Sequence, residues 1–190
     1  MIVIGAVGLN GSGKDALIQY FHERHGVPML SMGDLVREMA AQQGMRPTRS
    51  NLHELSQRAI EQQGTGFFAS TLIAQIEKAS WDVVGITGIR SPADVRTFRE
   101  HFGDDFVLVH IRVNDAFTRF ERVQDREEAR DPQSYERFLR QDQEEKEMFQ
   151  IEEAAGMADI TIDNDGSLKS FHQEIEEQVV KAVLEGGEQV

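Results

Sequence analysis

The chain has 190 residues, 39% hydrophobic and 28% charged, which suits one α/β domain with a sizeable core. A formal net charge of −13 argues against non-specific binding to nucleic acid or an anionic membrane, and any phosphate chemistry therefore needs positive charge concentrated locally. The absence of cysteine excludes a disulfide framework, a thiolate zinc site and a cysteine nucleophile. In chain order, residues 2–7 read as a buried strand that runs straight into a glycine-rich turn. Without a basic flank or cleavage site this start is not read as a signal peptide, and no apolar run approaches the roughly 20 residues of a membrane span. The cytoplasm is the expected compartment. A helix follows over about 13–24, a short strand over 28–31 and a helix over 34–43. Asn51 and Glu54 have the spacing of a capping box that opens another helix. A helix over 66–79 precedes β-branched strands at 81–87 and 106–113, with a helix between them that Pro92 starts. Long helical stretches at 115–126 and 133–154, a strand at 158–162 and a helix at 168–184 complete the chain, with residues 186–190 frayed. The alternation predicts a single three-layer α/β/α domain over 1–190, with a five-stranded, mostly parallel sheet.

The strongest motif is Gly8-Leu9-Asn10-Gly11-Ser12-Gly13-Lys14-Asp15, between a strand and a helix. Glycines let the backbone curl so that several N–H groups point at one anion, and the helix start adds partial positive charge. Gly8, Asn10, Gly11, Ser12, Gly13, Lys14 and Asp15 are expected to hold the phosphates of ATP. Lys14 is expected to reach the β- and γ-phosphates and to act in catalysis. Asp15 stands where the usual pattern has Ser or Thr, whose hydroxyl binds Mg²⁺. A carboxylate can hold that metal directly or through water, which makes Asp15 a metal candidate; otherwise its charge impairs nucleotide binding.

Met29-Leu-Ser-Met-Gly-Asp34-Leu-Val-Arg37 resembles the Leu-Ser-x-Gly-Asp-Leu-Leu-Arg segment of adenylate kinase and other P-loop nucleoside monophosphate kinases. The resemblance implies an acceptor-binding helical insertion over about 32–80. It also implies that Arg37 grips the acceptor phosphate and that Asp34 lies near the metal and the reacting phosphates. Residues 81–91 resemble the Asp-Gly-hydrophobic-Pro-Arg corner of the same family, with Thr87 in place of the Asp and Ser91 after Arg90. Arg90 lies just past a strand end, where open parallel sheets place ligands, and is a second candidate for the acceptor and for catalysis.

Arg119, Arg122, Arg126 and Arg130 share one helical face by their spacing, among acidic residues that also permit a solvated, salt-bridged helix. Lid helices of P-loop kinases carry such arginines. That implies a lid over about 119–140, with Arg122 and Arg126 as catalytic cations and Asp131-Pro132 at its tip. Asn164-Asp-Gly166-Ser resembles the tail of dephospho-coenzyme A kinase, which implies that Asn164 and Gly166 pack against the adenine. The same residues are ordinary turn and capping chemistry.

As a whole the chain resembles an archaeal-type group of uncharacterised, adenylate kinase-related proteins. The resemblance implies ATP-dependent phosphoryl transfer, with ATP and Mg²⁺ as cofactors and a small phosphorylated metabolite as acceptor. A nucleoside or deoxynucleoside monophosphate is the first expectation and a dephospho-coenzyme A-like acceptor the second. No nucleic acid or membrane partner is expected. A general base does not stand out, and none is needed when the acceptor oxygen belongs to a phosphate. The other class left open is a nucleotide-dependent switch or binding module, with acidic helices such as Glu144-Glu145-Lys146-Glu147 as its partner surface. The oligomeric state is not legible.

Overall fold

A computed structural model of the chain describes residues 1–126 and 131–185; Arg130 and the expected frayed end, 186–190, lie outside the described residues. Five short apolar runs make one sheet: β1 (Ile2–Val7), β2 (Met29–Ser31), β3 (Val83–Ile89), β4 (Phe106–Arg112) and β5 (Ile160–Asp163). Their order is β2-β3-β1-β4-β5 and every pairing is parallel. Parallel neighbours need crossover connections, and these put helices on both faces of the sheet. The pleat then divides β1 between two cores. Val3 and Val7 pack with Val84, Ile86, Phe98 and Phe106 on one face, and Ile4 and Ala6 with Leu17, Ile18, Val109 and Ile162 on the other. All C-terminal strand ends point the same way, so the turns after β1, β3 and β4 converge at one rim.

The helices are α1 (Lys14–His25), α2 (Met32–Gln42), α3 (Arg49–Gln63), α4 (Phe67–Ala79), α5 (Pro92–Phe102), α6 (Ala116–Asp125), α7 (Tyr135–Phe149), α8 (Ile151–Gly156) and α9 (Leu168–Glu174). The last continues through Ile175–Glu185 with a wider, π-type winding. Among the described residues no helix is long and apolar enough to cross a membrane.

Three local expectations are corrected. Helix α3 starts before Asn51: Thr48 is its cap and accepts the Asn51 N–H at 3.3 Å. The Asn51 side chain turns back to the Arg46 carbonyl at 2.8 Å, so it does not cap. The stretch 133–154 is two helices, because Gln150 adopts a left-handed conformation at φ 53°. That break turns Ile151 and Ala154 into the core. Strand β3 is shifted two residues later than expected, since Val83 is the residue in register with Ile2. The expected start of α5 at Pro92 is found, and the structure adds a reciprocal capping box between Ser91 and Asp94.

Gly85, in the middle of β3, is required by α1. A Cβ there would lie 2.7 Å from Ile18 Cγ2. Gly85→Val is expected to lose about 1–3 kcal/mol of stability through overpacking. In urea unfolding, Ile18→Ala in the same chain should give a combined loss smaller than the sum of the two single losses.

Candidate functional site

The turn after β1 is a cradle closed from outside. Gly11 and Gly13 have φ of 79° and 101°, a region that side-chain-bearing residues avoid. The neighbours forbid larger residues as well: a Cβ on Gly8 would lie 2.6 Å from Ser12 Oγ, and one on Gly13 2.5 Å from Asn164 Nδ2. The loop's carbonyl oxygens are taken by side chains behind it. Asn164 donates to Ser12 O at 2.8 Å and Arg119 to Asn10 O at 3.1 Å, while Arg126 donates to Asn10 Oδ1 at 3.2 Å. Inside, the Ser12 hydroxyl is buried with no hydrogen-bond partner among the described residues. A buried hydroxyl without a partner is costly, and a phosphate oxygen would satisfy it. Lys14 is buried too, its Nζ 3.7 Å from Asp15 Oδ2. Cradle, orphaned hydroxyl and buried ammonium fit the phosphates of a nucleotide.

Asp15 faces the end of β3. The Thr87 hydroxyl donates to its carboxylate. The charge of Lys14 holds the Asp15 carboxyl below its ordinary range, against a burial penalty, helped by Thr87, Arg90 and Arg126. The helix start and the strand end, which the kinase pattern gives a hydroxyl and a carboxylate, here carry a carboxylate and a hydroxyl, and the two side chains touch. The oxygens of Asp15 suit Mg²⁺. Asp34, on the first turn of α2, is bound by Arg37 at 2.5 and 3.0 Å. Among the described residues no three acidic or histidine side chains gather as a metal cluster, so a metal beside Asp15 would take its other ligands from nucleotide and water.

Helix α7 organises three of the remaining cations, Arg119, Arg90 and Arg49. Arg119, grouped by spacing with the lid arginines, is instead buried: it pairs with Asp142 at 2.6 and 2.7 Å and lies 5.2 Å over the Phe138 ring. Arg126 forks onto Asp131 at 2.6 and 2.7 Å. Arg122 donates to Gly166 O at 3.2 Å, which ties α6 to the turn after β5. Arg90 lies 5.3 Å over the Phe149 ring and 3.7 Å from Glu145 Oε1. Arg49 donates to that same oxygen at 3.1 and 2.5 Å and to Gln141 at 3.1 Å. Burial pushes the Glu145 carboxyl up, but Arg90, Arg49 and Lys14 together outweigh it and hold it below its ordinary value. Lys14, Asp15, Asn10, Asn164, Arg90 and Arg126 thus gather around one rim, while Arg37 and Asp34 bind each other. Sequence reasoning missed Arg49, Asp142 and Glu145. The two acids sit in a stretch whose run of charges reads as a solvated face, and nothing local distinguishes them.

Residues 7–139 match the family described as an AAA domain. A UPF0200/UPF0201 protein of Archaeoglobus fulgidus is 37% identical over 95% of the chain, which spans 56% of that relative's length. A UPF0200 protein of Pyrococcus horikoshii is 34% identical over 95% of the chain and 97% of its own length. Among solved structures, a gluconokinase from Sinorhizobium meliloti superposes with a TM-score of 0.60 at 15% identity, over 99% of this chain and 98% of its own. That likeness shows a shared P-loop kinase-like fold.

Asp142→Ala leaves the Arg119 charge buried without its partner and is expected to cost about 3–5 kcal/mol in urea unfolding. The paired change Arg119→Met with Asp142→Leu, which removes both charges, should recover most of that loss.

Proposed function

This chain belongs to the AAA-domain family of P-loop kinase-like proteins, and within it to the UPF0200 group, and from that premise we propose that it is an ATP-dependent kinase of a small phosphorylated metabolite, with nucleoside and deoxynucleoside monophosphates as the first acceptors. One observation carries the reading. Lys14 of the phosphate loop lies 3.7 Å from Asp15 Oδ2, and the same carboxylate accepts the Thr87 hydroxyl near the end of β3, three residues before Arg90. The phosphate loop and the corner that carries Arg90 are therefore held side by side, which suits the alignment that phosphoryl transfer requires.

In this reading Lys14, Ser12 and the loop amides hold the ATP phosphates, and Asn164 and Gly166 flank the base. Asp15, with Thr87 behind it, would hold Mg²⁺, which supplies charge neutralisation between the carboxylate and the phosphates. Arg90 and Arg37 take the acceptor's phosphate, Arg37 by leaving Asp34. Helices α2 to α4 then form the acceptor insertion of 32–80. Arg122 and Arg126, in a lid over 119–140, stabilise the transferred group. A switch or binding-module reading is favoured by one observation: Arg37, Arg90, Arg119 and Arg126 are each already paired with a carboxylate.

ADP release against a panel of nucleoside monophosphates, their deoxy forms, dephospho-coenzyme A and phosphomevalonate separates the two. A kinase consumes ATP only with an acceptor present; ATP hydrolysis indifferent to every acceptor fits the switch. Lys14→Ala removes a charge-assisted contact of about 1.5–3 kcal/mol. ATP binding measured by calorimetry should fall at least about tenfold.

Asp15→Ser restores the usual hydroxyl and is expected to shift the preference between Mg²⁺ and Mn²⁺. Asp15→Asn should weaken metal–nucleotide binding. Asp15→Ser combined with Thr87→Asp should return it towards the wild-type value, because the pair then carries the same groups in exchanged places. Mn²⁺ titration followed by electron paramagnetic resonance in the presence of ATP reads all three.

A further inference from the structure

Between α3 and α7 lies a cleft of about 700 Å³, lined in part by Arg49, His53, Arg137, Gln141, Glu144 and Glu145 and by none of residues 8–15 of the phosphate loop. Its charges are unevenly engaged. The Arg137 side chain makes no hydrogen bond or ion pair among the described residues. Among the described residues His53 only packs its ring edge-on against Phe149, at 6.2 Å. Arg49 is spent on Glu145 and Gln141. Arg90, facing Glu145 at 3.7 Å, is too far for a hydrogen bond, and among the described residues its guanidinium donates none.

Glu145 Oε1 is therefore the focus of two guanidinium groups from two different elements, α3 and the corner after β3. Gln141, Glu145 and Phe149 stand at successive i+4 positions of α7 and clasp both arginines from one helix face. A carboxylate and a phosphate present the same kind of oxygens to a guanidinium fork, so each can replace the other there. We propose that this cleft extends the acceptor's anion site beyond Arg37 and Arg90, that Arg49 and Arg137 line it while Arg90 reaches the same carboxylate from the corner after β3, and that Glu145 occupies it as an internal stand-in until a phosphate-bearing ligand displaces it. The inference rests on the kinase reading for the word acceptor, and on the cleft alone for the anion.

The arrangement has a consequence for selectivity. An incoming anion must outcompete Glu145 and tolerate Glu144 beside it. A phosphate dianion offers more charge and more acceptor oxygens than a carboxylate, so it gains most from the exchange. The site thus rejects singly charged carboxylic metabolites and takes phosphorylated ones.

The probe is inorganic phosphate, titrated calorimetrically into wild type, Glu145→Gln, Arg49→Gln and Glu145→Gln with Arg49→Gln, each also in a Lys14→Ala background that disables the phosphate loop. Glu145→Gln is expected to tighten phosphate binding about tenfold by removing the competing charge. Adding Arg49→Gln should abolish that gain, and affinity for a non-hydrolysable ATP analogue should stay within about twofold in the variants that keep Lys14. Phosphate binding unchanged or weakened by Glu145→Gln, or a gain that survives Arg49→Gln, would overturn the proposal. A gain that vanishes with Lys14→Ala would also overturn it, because the phosphate then sat in the loop. A gain that persists while the chain transfers no phosphoryl group leaves the anion site standing and removes only the kinase reading. Should Glu145→Gln not fold, as judged by its thermal melt, Arg137→Gln on the wild-type background is expected to lower phosphate affinity, and no change there overturns the proposal.

Discussion

The buried pair of Arg119 and Asp142 is the contact on which the rest of the site depends. It joins α6 to α7, and through the Asn10 carbonyl it also holds the phosphate loop from behind. A guanidinium fork and a carboxylate taken out of water repay their desolvation only with good geometry, and both hydrogen bonds here are short, at 2.6 and 2.7 Å. With α7 so anchored, Glu145 and Phe149 are placed, one and two turns further on, to receive Arg49 and Arg90. The position of Arg90 is thus set in part by a contact made behind the phosphate loop. That is the physical link between the two halves of the site.

A chain of net charge −13 concentrates its cations by pairing them. Arg37, Arg90, Arg119 and Arg126 each have a carboxylate beside them, from its own helix for Arg37 and from elsewhere in the fold for Arg90 and Arg119. Such pairing keeps guanidinium groups ordered without ligand and lowers their appetite for anions in general. Only a ligand with more charge or better-directed oxygens than a carboxylate gains by entering. An acidic chain is therefore compatible with the phosphate-selective site proposed for it.

Asp15 and Thr87 show how a departure from a pattern is absorbed. Taken alone, a carboxylate at the start of α1 puts negative charge where nucleotide phosphates would lie. In the folded protein it is offset by Lys14 next to it, by the Thr87 hydroxyl across the sheet rim and by Arg90 and Arg126. Both departures were visible in the sequence as separate oddities. Their contact depends on β1 and β3 lying side by side in the sheet.

What the sequence by itself determined is local. The strands, the glycine cradle with Lys14, the helix start at Pro92 and the turn at Asn164–Ser167 are written in short-range pattern and turn chemistry, so they could be read before any packing was known. The tertiary structure alone decided the pairings. Asn164 meets Ser12, Arg49 meets Glu145 and Arg119 meets Asp142 across intervals of 152, 96 and 23 residues. Helical spacing put Arg119, Arg122 and Arg126 on one face but could not say that Arg119 is buried there, because burial depends on where α7 lies. The acidic stretch of α7 looked like a solvated face for the same reason. A charge shows its role only when the fold brings its counter-charge to it, and no local pattern records that distance.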